Sequence, residues 1–201
     1  MIFIVRHAET VDNAARVIQV PAAPLSAAGQ AQAERLAERV AADGIAWILA
    51  SDLVRAVETA RCIAVRLGIE VEMDPVLRER DFGDLCGTPY AALTHDPFDP
   101  AYVPPNGESW AAFHARVGLA WERIRQSAAE APGNLLVVTH GLVCRSLVEN
   151  HLALPPGEAP PLRWENTSLT AVEAVPPWLI RRLNCVAHLA GKSGEFREQC
   201  I

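Results

Sequence analysis

Lysine is nearly absent from this chain of 201 residues: Lys192, close to the C-terminus, is the only one, and every other long basic side chain is an arginine. Positive charge is in deficit as a whole, with a formal net charge of -6, which argues against a general nucleic-acid or membrane-surface binder. No apolar stretch is long enough to span a bilayer, although 50% of the residues are hydrophobic and mean hydropathy is +0.11. Neither a basic leader nor a cleavage site precedes the first strand, so the expected location is the cytoplasm. Cysteine is scattered: Cys62, Cys86, Cys144, Cys185 and Cys200 are odd in number and lack the spacing of a zinc or redox pair, which fits a reducing compartment. No two histidines stand four apart, and no carboxylate cluster accompanies them, so a metal centre is disfavoured. A Gly/Ser-rich or charged linker is also missing, and one domain over residues 1–201 is expected, with a substrate-side excursion over about 88–106 and a loosely ordered tail over 191–201.

What is present is a strand pattern that occurs twice. Ile2 to Val5 is a continuous apolar run, as in a strand covered on both faces, and it stops at Arg6-His7. Leu135 to Val138 repeats the pattern and runs into Thr139-His140-Gly141, ahead of an apolar helical stretch over 142–152. Ligands of open α/β sheets bind beyond the carboxyl ends of the strands, where both histidines fall. A guanidinium offers a planar fork to phosphate or carboxylate, and an imidazole can serve as nucleophile, base or metal ligand.

Between these strands, Ser26 reads as the N-cap of a helix packed through Ala33, Leu36, Ala37 and Val40. Residues 47–50 read as a buried strand, and Ser51-Asp52 as the N-cap of a helix with Val57, Ala60, Ala64 and Leu67 on its apolar face. Arg55 falls in the first turns of that helix, where the dipole disfavours a cation. Spacing alone leaves a surface role and a phosphate-facing role equally open. A short strand over 70–73 leads to a charged run over 77–84. Residues 90–106, with Pro97, Pro100, Pro104 and Pro105, read as an excursion over the sheet edge. Ser109 opens a long helix whose Trp110, Phe113, Val117, Trp121 and Ile124 form a core stripe, and His114, Arg116, Cys144, His151 and His188 read as packing or surface residues. Residues 169–175 and 178–183, turned by Pro176-Pro177, form an antiparallel pair at one edge. The expected fold is α/β: a three-layer α/β/α sandwich with a mostly parallel sheet and an antiparallel edge.

Arg6-His7-Ala8-Glu9-Thr10 with Asn13, Ser51-Asp52-Leu53 leading to Arg55 and Glu58-Thr59-Ala60, Glu79 ahead of Phe82-Gly83, and Thr139-His140-Gly141 occur in this order. Together they resemble the histidine phosphatase superfamily, the phosphoglycerate mutase-like family, over nearly the whole chain. Pro24-Leu25-Ser26 to Gly29-Gln30-Ala31 adds to the likeness. The chain departs from the family at Ala8 and Val20, where glycines are usual, before Pro24, where an aspartate is missing, and at Leu85-Cys86-Gly87, where a tryptophan is common.

The resemblance implies a metal-independent, cofactor-free phosphatase in which His7 attacks phosphorus. Arg6, Arg55, His140 and helix-terminal amides would hold the phosphoryl group, and Glu79 would be the proton donor. Asn13, Gln19 and Gly141 are assigned to substrate contact. The expected ligand is a small-molecule phosphate monoester, with no nucleic-acid or membrane partner, and a homodimer is admitted. Two rivals stand beside this reading: a phosphoglycerate mutase using the same intermediate, and a non-catalytic module that binds phosphorylated ligands. Hydrolysis is preferred because residues 87–106 contain no arginine or lysine, whereas a mutase must retain a second anion. Arg16 and Arg78 are the candidates to supply that charge from elsewhere.

Overall fold

The computed structural model describes residues 1–190, so the expected loose tail over 191–201 lies outside the described residues. Six strands, β1 (Ile2–Arg6), β2 (Ile45–Ala50), β3 (Val71–Met73), β4 (Asn134–Thr139), β5 (Leu169–Val172) and β6 (Ile180–Cys185), form one sheet in the order β3-β2-β4-β1-β5-β6. The first three pairings are parallel and the last two antiparallel, as the late hairpin in the sequence suggests. Helices cover both faces. Successive residues of β1 and β4 point to opposite sides, so Ile2, Ile4, Leu135 and Val137 meet Phe113, Val117, Trp121 and Ile124 of α4 (Trp110–Glu130) and Val143 and Leu147 of α5 (Gly141–Asn150). Phe3, Val5, Leu136 and Val138 meet Leu36 and Val40 of α2 (Ala27–Val40) and Ala56, Ala60 and Ile63 of α3 (Val54–Leu67). Two covered faces are the reason the strands read as unbroken apolar runs rather than alternations. No helix among the described residues is long and apolar enough to cross a membrane.

Three local readings are corrected. Residues Val11–Ala15 form a short helix, α1, that the sequence pattern does not announce, because it buries no side chain and so leaves no apolar period. It is held by its cap: the Thr10 hydroxyl accepts from Asn13 N–H at 3.0 Å, and the Asn13 side-chain oxygen accepts from Thr10 N–H at 3.3 Å. Ser51-Asp52 does not cap α3; Leu53 is the N-cap, without a side-chain bond. Both residues are engaged elsewhere, Ser51 with His140 and Asp52 with Arg78. The buried face of α3 accordingly runs through Ala56, Ala60, Ile63 and Ala64, and Val57 and Leu67 are only half-buried.

The excursion over residues 88–106 is anchored by Arg80, which is 2% exposed. Its Nε donates to the Glu108 carbonyl at 3.0 Å, Nη1 to Pro97 at 2.9 Å and Nη2 to Tyr102 at 2.8 Å, and the guanidinium lies 4.1 Å over the Trp110 ring. Of the two arginines that flank Glu79, Arg78 pairs with a carboxylate, its Nε and Nη2 donating to Asp52 at 2.6 and 2.5 Å, whereas Arg80 bonds carbonyls. Replacing Arg80 by alanine is expected to leave three carbonyls without their donor and to cost about 3 kcal/mol, roughly 1 kcal/mol each. Arg80→Lys should recover only part of that loss, because a point ammonium cannot serve three acceptors in a planar fork. Urea midpoints at unchanged m-value measure both.

Candidate active site

Parallel pairing of β1 with β4 sets Arg6 opposite Thr139, so the residues that follow, His7 and His140, emerge side by side. Their ring centroids lie 5.2 Å apart, and they are 1% and 0% exposed. His7 Nδ1 lies 2.7 Å from the Ala8 carbonyl oxygen, which can only accept, so Nδ1 carries the proton and Nε2 keeps its lone pair. Burial, followed by the charges of Arg55 and Arg6, holds the His7 pKa well below the usual histidine value. Ala8 is fully buried and is not among the residues with positive φ, so alanine in place of the family's glycine is unstrained.

Arg55, 3% exposed in the first turn of α3, donates from Nη1 to the Val20 carbonyl at 3.2 Å, and burial lowers its pKa to about 10. Arg6 Nη1 donates to the Trp164 carbonyl, and burial lowers its pKa as well. Glu79 accepts from Arg80 N–H at 3.0 Å and, at the N-terminus of α5, from Leu142 N–H at 3.2 Å. Its pKa is raised by burial, which outweighs the opposing pull of those two amides and of Arg55 and Arg6. His140 Nε2 bonds the Ser51 hydroxyl at 2.8 Å, and burial keeps the imidazole neutral well below its usual range. Arg6 Nε, Arg55 Nε, His140 Nδ1 and Trp164 Nε1 are buried without a partner among the described residues. An unmade hydrogen bond on a buried polar group costs about 1–3 kcal/mol. Such a concentration marks a place shaped for a ligand rather than for folding.

Arg6, Asn13, Gln19, Arg55, Glu79 and Gly141 line a cavity of about 760 Å³. His7 and His140 are not among its lining residues. Asn13 and Gln19 are tied through their side-chain oxygens, Asn13 by Thr10 N–H and Asn166 Nδ2 and Gln19 by the Thr10 hydroxyl. Phe82, Tyr90 and Phe98 supply an aromatic part of the wall, with Tyr90 stacked on Phe98 at 6.2 Å, and Cys86 lines the same cavity. The sequence reading missed Arg145, Arg163, Trp164 and Asn166, all on the cavity. Trp164 and Asn166 precede β5 in a segment with no strand end or charge run to single it out, yet Asn166 Nδ2 donates to the His7 carbonyl at 3.0 Å. The supply of cations is also wider than Arg16 and Arg78. Arg145 pairs with Glu149 at 2.7 Å, Arg163 lies 3.8 Å from Glu165, and Arg16, also on the cavity, has no ion pair among the described residues. No group of three or more His, Cys, Asp or Glu side chains able to hold a metal occurs among the described residues.

The chain is similar to known proteins in sequence and in fold. The chain is 38% identical over 191 residues to the probable phosphoglycerate mutase GpmB of Yersinia enterocolitica, covering 89% of this chain and 87% of that protein. Among solved structures, a mycobacterial glucosyl-3-phosphoglycerate phosphatase superposes with a TM-score of 0.71 at 28% identity, covering 86% of this chain and 90% of that one. A phosphoglycerate mutase from Bacillus anthracis gives 0.70 at 25% identity, with 84% and 85% covered. The family model of the histidine phosphatase superfamily (branch 1) matches residues 2–184, which takes in His7, His140, Arg6, Arg55 and Glu79, and the chain belongs to that superfamily.

Proposed function

We propose that the chain is a phosphatase for small-molecule phosphate monoesters and works through a phosphohistidine on His7. The observation that carries this reading is the 2.7 Å bond from His7 Nδ1–H to the Ala8 carbonyl, beside two buried guanidinium groups. It supports an imidazole that is neutral, with its lone pair on Nε2, in a setting that attracts the phosphoryl anion. In the first step the Nε2 lone pair forms a bond to phosphorus, the ester P–O bond breaks, and the leaving oxygen takes the proton of the Glu79 carboxyl. In the second, the Glu79 carboxylate removes a proton from water, whose oxygen attacks phosphorus. The N–P bond breaks, its electron pair returns to Nε2, and inorganic phosphate leaves. Arg6, Arg55 and His140 are assigned to the equatorial oxygens, with Gly141 at the start of α5 adding the positive end of a helix dipole. Asn13 and Gln19 are assigned to substrate contact through their amide N–H groups. With guanidinium groups meeting the charge, the proposed reaction needs no metal.

The relatives include mutases and a phosphatase, named for phosphoglycerate and glucosyl-3-phosphoglycerate, which are small phosphate esters. Hydrolysis is supported by the aromatic wall of Phe82, Tyr90 and Phe98 and by the carboxylates already beside Arg78, Arg145 and Arg163. The mutase reading draws on the same arginines, which would retain a second anion if released from their partners, and on Arg16, which lines the cavity with no ion pair among the described residues.

His7→Ala should retain less than about a hundredth of the wild-type rate, since loss of a nucleophile costs several orders of magnitude. Quenched wild-type enzyme with labelled substrate should carry an acid-labile, base-stable adduct on His7. The pH profile should follow from two opposite shifts. The depressed His7 pKa keeps the nucleophile unprotonated to below the usual histidine range, and the raised Glu79 pKa keeps the acid form above the usual carboxyl range. Activity on an alkyl phosphate should therefore fall as pH rises through the Glu79 value. Glu79→Gln should cost roughly a hundredfold or more on that ester and much less on a nitrophenyl ester, whose leaving group needs no proton. Equal losses on both would remove Glu79 from the role. Finally, in the presence of EDTA, phosphate release from a panel of monoesters should be unchanged and should outrun interconversion of 2- and 3-phosphoglycerate. Faster interconversion would establish the mutase instead.

A further inference from the structure

The two peptide links that follow His7 are each hydrogen-bonded at both ends, by the His7 ring itself and by side chains from three distant parts of the chain. In the His7–Ala8 link, the carbonyl accepts from Asn166 Nδ2 at 3.0 Å and from Thr167 N–H at 3.3 Å, and the Ala8 N–H donates to the Thr59 hydroxyl at 3.0 Å. In the Ala8–Glu9 link, the carbonyl accepts from His7 Nδ1 at 2.7 Å, and the Glu9 N–H donates to Gln32 Oε1 at 3.0 Å. A peptide unit is planar and trans, so its carbonyl and N–H point in opposite directions, and fixing one end fixes the other. Gln32 reaches this link because Gly29, one turn earlier on α2, lets the helix lie against the loop. A Cβ at Gly29 would stand 1.9 Å from the Glu9 carbonyl oxygen. Ser26 reinforces the contact, its N–H meeting that same oxygen at 2.9 Å and its hydroxyl meeting Glu9 Oε1 at 2.7 Å.

We infer that Gln32 and Asn166 are positioning residues, which grip these two peptide planes, aim the Ala8 carbonyl at His7 Nδ1 and so keep the imidazole in the one tautomer that leaves Nε2 free. Which nitrogen of a neutral histidine carries the proton is set by the partner of the other, so a carbonyl free to swing would leave the tautomer unspecified. The two residues act with opposite polarity. Gln32 serves only as an acceptor and Asn166 only as a donor at His7, and this separates a positioning role from a merely space-filling one. The kinetic part of the inference rests on the phosphohistidine reading; the tautomer does not.

The test uses the full chain with four substitutions, Gln32→Met, Gln32→Glu, Asn166→Ala and Asn166→Asp, each studied well below its own melting midpoint. Ring nitrogen NMR of His7 should give a single Nδ1–H tautomer in the wild type and in Gln32→Glu, whose carboxylate still accepts from Glu9 N–H. Mixed tautomers are expected in Gln32→Met and in both Asn166 variants, since aspartate offers no donor. Phosphohistidine formation in a single turnover should slow by roughly ten- to a hundredfold in those three, as is usual when an orienting partner one step removed is lost, with KM changed far less than kcat. An unchanged tautomer and rate in Gln32→Met, or a Gln32→Glu as impaired as Gln32→Met, would overturn the inference. Absence of any wild-type adduct on His7 would instead sink the nucleophile reading and leave the tautomer result to decide the positioning by itself.

Discussion

Two guanidinium groups and two imidazoles are crowded together where β1 and β4 end, and most of the surrounding structure follows from that crowding. Each of the four is positive or can become so, and burial weakens the screening between them. The imidazoles respond by staying neutral, and Arg55 holds its charge less firmly than a free arginine. Glu79 is the acidic group that opposes both arginines, and burial raises its own pKa. Charge balance inside the site is thus incomplete without an anion, and several buried polar atoms have no partner of their own. Such a pocket is costly to the empty protein and suited to a dianionic ligand.

The sheet bears this cost. β1 and β4 are the two central parallel strands, buried on both faces, and their pairing alone brings the histidines together. Around them the shortage of lysine has a structural counterpart. Arg80 and Arg116 each spread one planar fork over several acceptors: Arg80 over the carbonyls of Glu108, Pro97 and Tyr102, Arg116 over the carbonyls of Val76, Arg78 and Glu79 and the carboxylate of Glu108. A lysine offers no such geometry. Together they fix the backbone on either side of Glu79 and the excursion that supplies the aromatic wall.

The parts legible in the sequence were those with a periodic or abrupt signature. Apolar runs ending in Arg6-His7 and Thr139-His140 and the Ser26 cap appear where the pattern places them; the α4 stripe does so except at Trp110, which is only half-buried, and the late antiparallel pair forms with β5 ending at Val172 rather than 175 and β6 running over Ile180–Cys185 rather than 178–183. What escaped has no period and no boundary. α1 buries nothing, so its capping box is its sole trace. The Ser51 hydroxyl reads as a cap by type but bonds a histidine far along the chain, a tertiary contact that overrides the local one. Trp164 and Asn166 lie in an irregular segment whose meaning comes from a contact 159 residues away in sequence, between Asn166 and His7. Arg145 and Arg163 reach the cavity only because α5 and the stretch before β5 converge on it, which spacing within either segment cannot express.

The near-contact of Gly29 with the Glu9 carbonyl bears on how this site can be moved or rebuilt. Because α2 touches the loop backbone directly, with no side chain between them, loop and helix form one rigid piece, and the loop's shape is not encoded in its own residues. Copying Arg6 to Asn13 onto another sheet would transfer the reactive groups without the scaffold that shapes them. The smallest transplantable unit is discontinuous: β1 with its loop, the first turns of α2 and α3, and the five residues from Trp164 to Ser168.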